Sequence, residues 1–214
     1  MILYALPIST YSAKVRMQLD LKGIEYEMLP PPGGYSSAEY MSIIELGTIP
    51  GIKDGDFCIS ESDVIASYIE EKYPDPTLMP GDAEARAKQR YMARYHDLWL
   101  EPHLRKTLAQ VNPATRDEKI ANDLLDKFQQ RIDLMEQLIE PKPFMCGDQI
   151  SIADLAFPAT FTLAELMLPV FDRHVRFGPK VQAWCEAVYD NPVVKAVTDE
   201  SRQATLDWMS SGGG

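Results

Sequence analysis

The spacing of apolar positions changes character about a third of the way along the chain. Residues 1–6 (MILYAL) are a short apolar run, the pattern of a buried strand, and Pro7 stops it. Residues 10–22 read as a helix that Ser9 or Thr10 can cap and that Gly23 can end in the left-handed conformation. Ile24 to Leu29 alternates apolar and acidic positions and predicts a second strand, and Pro30-Pro31-Pro32-Gly33-Gly34 forces a loop. A helix is expected over Ser36–Glu45. Two strands, Pro50–Lys53 and Phe57–Ser60, flank the turn Asp54-Gly55-Asp56, whose Asp-Gly pair is a hairpin signal. Ser62–Lys72 closes this part as a helix with Val64, Ile65, Tyr68 and Ile69 on one face. Beyond Pro74, Pro76 and Pro80 nothing reads as strand. Helical periodicity runs over roughly 84–112, 116–140, 152–168, 177–190 and 193–208, punctuated by Pro113, Pro141, Pro143, Pro169 and Pro192. The expected organisation is a β-α-β-α-β-β-α domain over 1–80 followed by an all-helical domain over 84–210.

One helix start carries a strong folding signal. Ser151 and Asp154 stand as cap and third helical residue, an acidic form of the capping box, with Ile150 and Leu155 as a hydrophobic staple. Their role is structural, and replacing either with Ala is expected to cost about 1 kcal/mol or more.

Composition narrows the function without naming it. Of 214 residues 45% are hydrophobic and 25% charged, ordinary for a globular protein. A net charge of -11 argues against nucleic acid and against an anionic membrane surface as partners, yet leaves room for a small anionic ligand in a local positive site. No run of 18 apolar residues and no basic leader are visible, so neither a membrane span nor a secretory signal is expected. Cys58, Cys146 and Cys185 are scattered and odd in number, which fits a reducing, cytoplasmic setting. His96 and His103 lack companions at metal-ligand spacing, so no metal is expected. Arg116 to Lys119 is a solvated helix start, and Ser210 to Gly214 reads as a flexible end.

Four motifs in consistent order carry a resemblance over nearly the full chain. Ile49-Pro50 opens the third strand, where the thioredoxin fold places a cis proline. Glu61-Ser62-Asp63 precedes a helix, like the Glu-Ser or Gln-Ser pair of glutathione transferases. Ser9-Thr10-Tyr11-Ser12 lies between strand one and helix one, where thioredoxins carry Cys-x-x-Cys and several transferase classes carry a serine. Gly147-Asp148 with Ser151-Ile152-Ala153-Asp154 resembles the family's Gly-Asp-x-x-Ser-x-Ala-Asp segment. The chain therefore resembles the cytosolic glutathione transferase superfamily, in its serine-type, zeta/theta/delta-like branch. The stretch from Ser9 to Tyr26 is most similar to the zeta pattern. It departs from it at Tyr11, where zeta enzymes usually carry Cys, and the segment Ile43–Leu46 lacks the usual Asn-Pro. A tyrosine mechanism from strand one is not expected, because the catalytic position falls on Ala5 and Tyr4 points to the other face.

The resemblance implies a fold of a thioredoxin-like α/β domain plus an all-α domain, with glutathione as cosubstrate held by Ser9, Ile49, Pro50, Glu61 and Ser62. A helix N-terminus there would hold the ligand's γ-glutamyl carboxylate and a nearby acid its ammonium. Ser9 ranks first as the hydroxyl that steadies the thiolate, with Thr10, Tyr11 and Ser12 as rivals. The electrophile pocket is expected between the domains, formed by Tyr11, Met92, Tyr95, His96, Trp99 and Trp208, with Met209 nearby. Residues 92, 95, 96 and 99 share one helical face, which is either packed or pocket. Three readings follow: a transferase acting on a small hydrophobic or aromatic electrophile; a glutathione-dependent cis–trans isomerase of a maleyl-type diacid, with Lys14 or Arg16 as anion site; or a non-catalytic binding module. A symmetric homodimer is also implied, and is the commonest assembly by base rate.

Overall fold

The computed structural model of the chain describes residues 1–211. Its first part holds strands β1 (Ile2–Tyr4), β2 (Glu27–Leu29), β3 (Gly51–Asp54) and β4 (Phe57–Ser60), with helices α1 (Thr10–Leu21), α2 (Ala38–Met41) and α3 (Ser62–Lys72). The sheet order is β2-β1-β3-β4: β1 runs parallel to β2 and antiparallel to β3, and β3 pairs antiparallel with β4. The order agrees with the pattern read from the sequence, but the elements are shorter. The Ser36–Glu45 helix shrinks to the single turn α2, with Ser37 as its cap. The second strand loses its first half, because a Schellman motif ends α1: Gly23 adopts φ 65 and the Ile24 amide bonds Leu19 O.

The mixed polarity of α1 has a simple cause: this helix is buried on nearly all sides. Every residue from Ser12 to Leu19 is buried. Val15 and Leu19 pack with Leu3, Ala5, Ile52, Ile65 and Ile69 of the α/β core, whereas Ala13 and Met17 join the core of the helical part. The charged residues of this helix's buried surface, and the Gln18 amide nitrogen, find partners on other elements. Lys14 meets Asp97 at 2.8 Å, Lys22 meets Glu70 at 2.8 Å, and Gln18 donates to Ala66 O. A buried cation without a partner would cost several kcal/mol.

The helical part comprises α4 (Ala83–Tyr95), α5 (Glu101–Thr107), α6 (Glu118–Leu138), α7 (Ile152–Leu155), α8 (Pro158–Met167), α9 (Pro179–Tyr189) and α10 (Pro192–Ser210). The expected continuous helix over 84–112 is interrupted. A π-helical turn, His96–Leu100, joins α4 to α5, and the Glu101 amide bonds His96 O. Pro102 supplies the reason: it has no amide to donate and its ring crowds the preceding turn. The 152–168 helix likewise splits into α7 and α8, with Pro158 at the start of the latter. The segment Ile152–Phe171 has the length and mean hydropathy (1.3) of a membrane span, but most of it is buried inside the protein, as a core element.

Asp154 is fully buried beneath this segment. Its carboxylate accepts from the amides of Met145 and Ser151, from the Ser151 hydroxyl and from Trp184 Nε1, each at 2.8 Å. The capping residue thus also anchors the 145–147 loop and the central indole. Asp154→Ala strands three N–H donors and is expected to cost about 3 kcal/mol or more, against about 1 kcal/mol for Ser151→Ala. Urea unfolding of the two variants checks the difference.

Candidate functional site

Between the sheet and α4 lies a cleft of about 320 Å³. Four pieces of chain build it: Tyr11 from α1, Thr48–Pro50 from the loop before β3, Glu61 and Ser62 at the start of α3, and Arg94, Asp97 and Leu98 from the end of α4 and the π turn. The Ile49-Pro50 peptide bond is cis. The loop is held by Tyr40, whose hydroxyl donates to Thr48 O at 2.8 Å. Gly51, next in line, packs so closely on Tyr40 and Ile44 that an added Cβ would meet the Tyr40 hydroxyl at 2.7 Å.

Glu61 has φ 71, a left-handed conformation that costs a non-glycine residue on the order of 1 kcal/mol or more. It makes no side-chain cap to α3. The first turn of this 11-residue helix therefore meets the cleft without an internal side-chain acceptor at its cap, an arrangement suited to a carboxylate.

The four hydroxyls at the start of α1 differ in what they already do. Thr10 donates to Glu101 Oε1 at 3.0 Å and accepts from Arg105 Nη2 at 2.8 Å. Tyr11 donates to Glu101 Oε2 at 2.7 Å. Burial, and then the Glu101 carboxylate, push the Tyr11 phenol far above its ordinary range, so it stays protonated. Ser12 Oγ is enclosed and has no partner among the described residues. Ser9 Oγ accepts from the Ser12 amide at 3.2 Å as the α1 cap, and its own hydrogen has no acceptor among the described residues. Ser9 is 7% exposed and is not one of the residues lining the cleft. Tyr4 sits on the opposite face of β1, edge-on to Tyr40 with ring centroids 5.4 Å apart.

Of the residues expected to form the electrophile pocket, only Tyr11 lines this cleft. Met92 and Tyr95 lie in the helical core, and the Tyr95 hydroxyl donates to Arg131 O at 2.7 Å. His96 is fully buried between Thr160 Oγ1 (2.7 Å) and Asp97 Oδ1 (2.8 Å). Trp99 is 53% exposed, with the Arg131 guanidinium 5.2 Å from its ring. Trp208 and Met209 pack on the helical core. The π turn accounts for Trp99: the extra residue carries it off the buried face shared by Met92, Tyr95 and His96, and within this stretch Asp97 and Glu101 are buried while Trp99 is exposed and Leu98 borders the cleft. Lys14 and Arg16, considered as an anion site, are paired instead with Asp97 and Glu200. The sequence reading missed Thr48, Arg94, Asp97 and Leu98 in the lining, and Glu101 and Arg105 behind it. Pro102 was the available signal, since it announces a break just where Asp97 and Glu101 change face.

Asp97 joins the cleft to the core. Burial raises its pKa, but the hydrogen bond to His96 and the charge of Lys14 outweigh burial and hold it at about 2. Among the described residues no cluster of ligating side chains suits a metal.

A four-stranded sheet of this order, with a cis proline entering β3 and a helical part packed on α1, defines a thioredoxin-type domain joined to a helical one. The family profile described as "Glutathione S-transferase, N-terminal domain" matches residues 3–77, and "Glutathione S-transferase, C-terminal domain" matches residues 100–200. A zeta class glutathione S-transferase of Euphorbia esula is 31% identical over 72% of this chain and 71% of its own. The maleylacetoacetate isomerase of Pseudomonas aeruginosa is 29% identical over 85% of each. A solved bacterial zeta-class maleyl pyruvate isomerase superposes with a TM-score of 0.76 at 23% identity, over 95% of this chain and 98% of its own. The chain belongs to the glutathione S-transferase family.

The Asp97 carboxylate supplies a pH-dependent term to stability. Its folded pKa lies below the unfolded value near 3.9, so the contribution is complete above about pH 5 and is lost as pH falls toward 2. Asp97→Asn is expected to lose about 2 kcal/mol at pH 7, and the gap to the parent to narrow progressively below pH 5. Denaturant unfolding across that range measures it.

Proposed function

We propose that the chain binds glutathione in the cleft and presents its sulfur as a thiolate to a small hydrophobic or aromatic electrophile. The observation that carries this reading is the uncommitted Ser9 hydroxyl at the start of α1, beside neighbours whose hydroxyls are engaged or enclosed. In this reading the start of α3, at Glu61 and Ser62, takes the γ-glutamyl end, and the backbone at Ile49 and Pro50 takes the cysteinyl residue.

A free thiol has a pKa near 8.5, and lowering it by about two units needs roughly 2.7 kcal/mol of preference for the anion. A serine hydroxyl is too weak an acid to act as base at neutral pH, but it can donate a hydrogen bond to the sulfur anion. A charge-assisted bond contributes about 1.5–3 kcal/mol, and the α1 N-terminus adds a smaller favourable term. The two together have the required size. The protein's own half-buried Cys146 and buried Cys185 are poor substitutes: desolvation pushes Cys146 up to about 11 and Cys185 up to about 12.

A second reading is favoured by the curated relatives. The Pseudomonas aeruginosa relative bears the name maleylacetoacetate isomerase. A glutathione-dependent cis–trans isomerase would use the same thiolate, adding it to a conjugated diacid and eliminating it after bond rotation. Its anion site would fall to Arg94 rather than to the buried Lys14 or Arg16: Arg94 lines the cleft, is partly exposed, and meets Asp97 at 3.6 Å and Asp63 at 4.0 Å, looser pairs than that of Lys14 with Asp97 at 2.8 Å. A third reading keeps binding without turnover. The domain division at residues 80–84, a cytoplasmic setting and a homodimer belong to the same proposal.

Isothermal titration with glutathione, followed by turnover with a chloronitrobenzene and with a maleyl-type diacid, separates the three. Ser9→Ala is expected to raise the pKa of the bound thiol by about one unit or more and to slow conjugation at pH 7 about tenfold, with affinity for the tripeptide little changed. Unaltered thiol titration in that variant would assign the role to another group. Light scattering is expected to give about twice the chain mass of 24.1 kDa.

A further inference from the structure

Behind the α1 hydroxyls lies a charged pair that the proposed chemistry has not yet used. Glu101 is fully buried. Its Oε1 accepts from Thr10 and from Arg105 Nε at 2.8 Å and lies 2.7 Å from Arg105 Nη2 as an ion pair, and its Oε2 accepts from Tyr11 at 2.7 Å. Arg105 also donates to Thr10 Oγ1 at 2.8 Å, and its side chain keeps 37% of its surface in solvent. Both charges are therefore one hydroxyl away from the first turn of α1. Pro102 and the π turn bring them there: with the Glu101 amide bonded to His96 O, the Glu101 side chain faces α1.

We propose that Glu101 and Arg105 form a positioning pair that takes up the hydrogens of Thr10 and Tyr11, leaves Ser9 as the free donor, and sets the electrostatic bias on the bound thiol. The inference rests on the thiolate reading above. Its physical content is a balance. An acid alone at this place repels a sulfur anion, a base alone attracts it, and the pair together is close to neutral. Neither residue touches the ligand. Each acts through Thr10, Tyr11 and the field at the α1 terminus.

The balance gives opposite signs to two single substitutions, which loosening of the structure does not. Glu101→Gln removes the negative charge and leaves Arg105 in place, so the pKa of bound glutathione is expected to fall by about half a unit. Arg105→Gln leaves the carboxylate uncompensated, and the pKa is expected to rise by a similar amount, with Arg105→Lys restoring it. The double variant is expected to return close to the parent value. The measurement is a pH titration of thiolate ultraviolet absorbance on the full chain saturated with glutathione. Shifts of the same sign in both single variants, or none in either, overturn the inference while leaving the Ser9 reading intact. If Glu101→Gln does not fold, the half-exposed Arg105 decides alone: no upward shift in Arg105→Gln rejects the proposal. Absence of any thiolate band in the parent protein brings down the underlying reading, and this inference with it.

Discussion

The structure turns on one helix buried between two cores. α1 packs Val15 and Leu19 into the α/β core and Ala13 and Met17 into the helical one, so its polar positions have little water to face. Each interior charge needs a partner from another element, and the pairing of Lys14 with Asp97 and of Lys22 with Glu70 supplies it. These pairs do more than offset desolvation. Lys14 with Asp97, and Arg16 with Glu200, also tie α1 to the helical part, whereas Lys22 with Glu70 ties it to α3 within the α/β part.

Placement of the cleft follows from two departures from regular backbone. On the sheet side, Glu61 takes a left-handed conformation and α3 begins without a side-chain cap, which leaves its first turn facing the cleft. On the helical side, the π turn before Pro102 moves Asp97 and Leu98 into the lining and Glu101 behind it. The π turn also releases the Asp97 carbonyl, which lies 3.4 Å from the Tyr11 hydroxyl. Irregular turns of this kind are frequent at functional sites because they aim side chains that a straight helix would aim elsewhere.

The chemistry proposed for the α1 terminus depends on what the hydroxyls are doing, beyond their being hydroxyls. Four consecutive residues offer similar groups, yet two donate to Glu101, one is enclosed and one caps the helix with its hydrogen spare. A buried carboxylate from a distant part of the chain makes that selection. Tyr11 shows the consequence: a phenol in a cleft looks like a proton donor or base, but burial beside Glu101 fixes it as a protonated, occupied donor.

The local signals were legible in the chain itself. The β-α-β-α-β-β-α order, the Gly23 stop, the Asp-Gly hairpin, the proline before β3 and the Ser151/Asp154 helix start are near-neighbour chemistry, and near neighbours are visible in a sequence. So was the family likeness, because Ile49-Pro50 and Glu61-Ser62 are contiguous motifs. Only the tertiary structure decided the rest. Met92, Tyr95 and His96 have the same amphipathic spacing whether they line a pocket or fill a core, and packing against α6, α7 and α8 made them core. The partners of Lys14, Thr10 and Tyr11 stand more than 80 residues away. Pairing energies across such separations depend on three-dimensional distance and desolvation, neither of which the order of residues states.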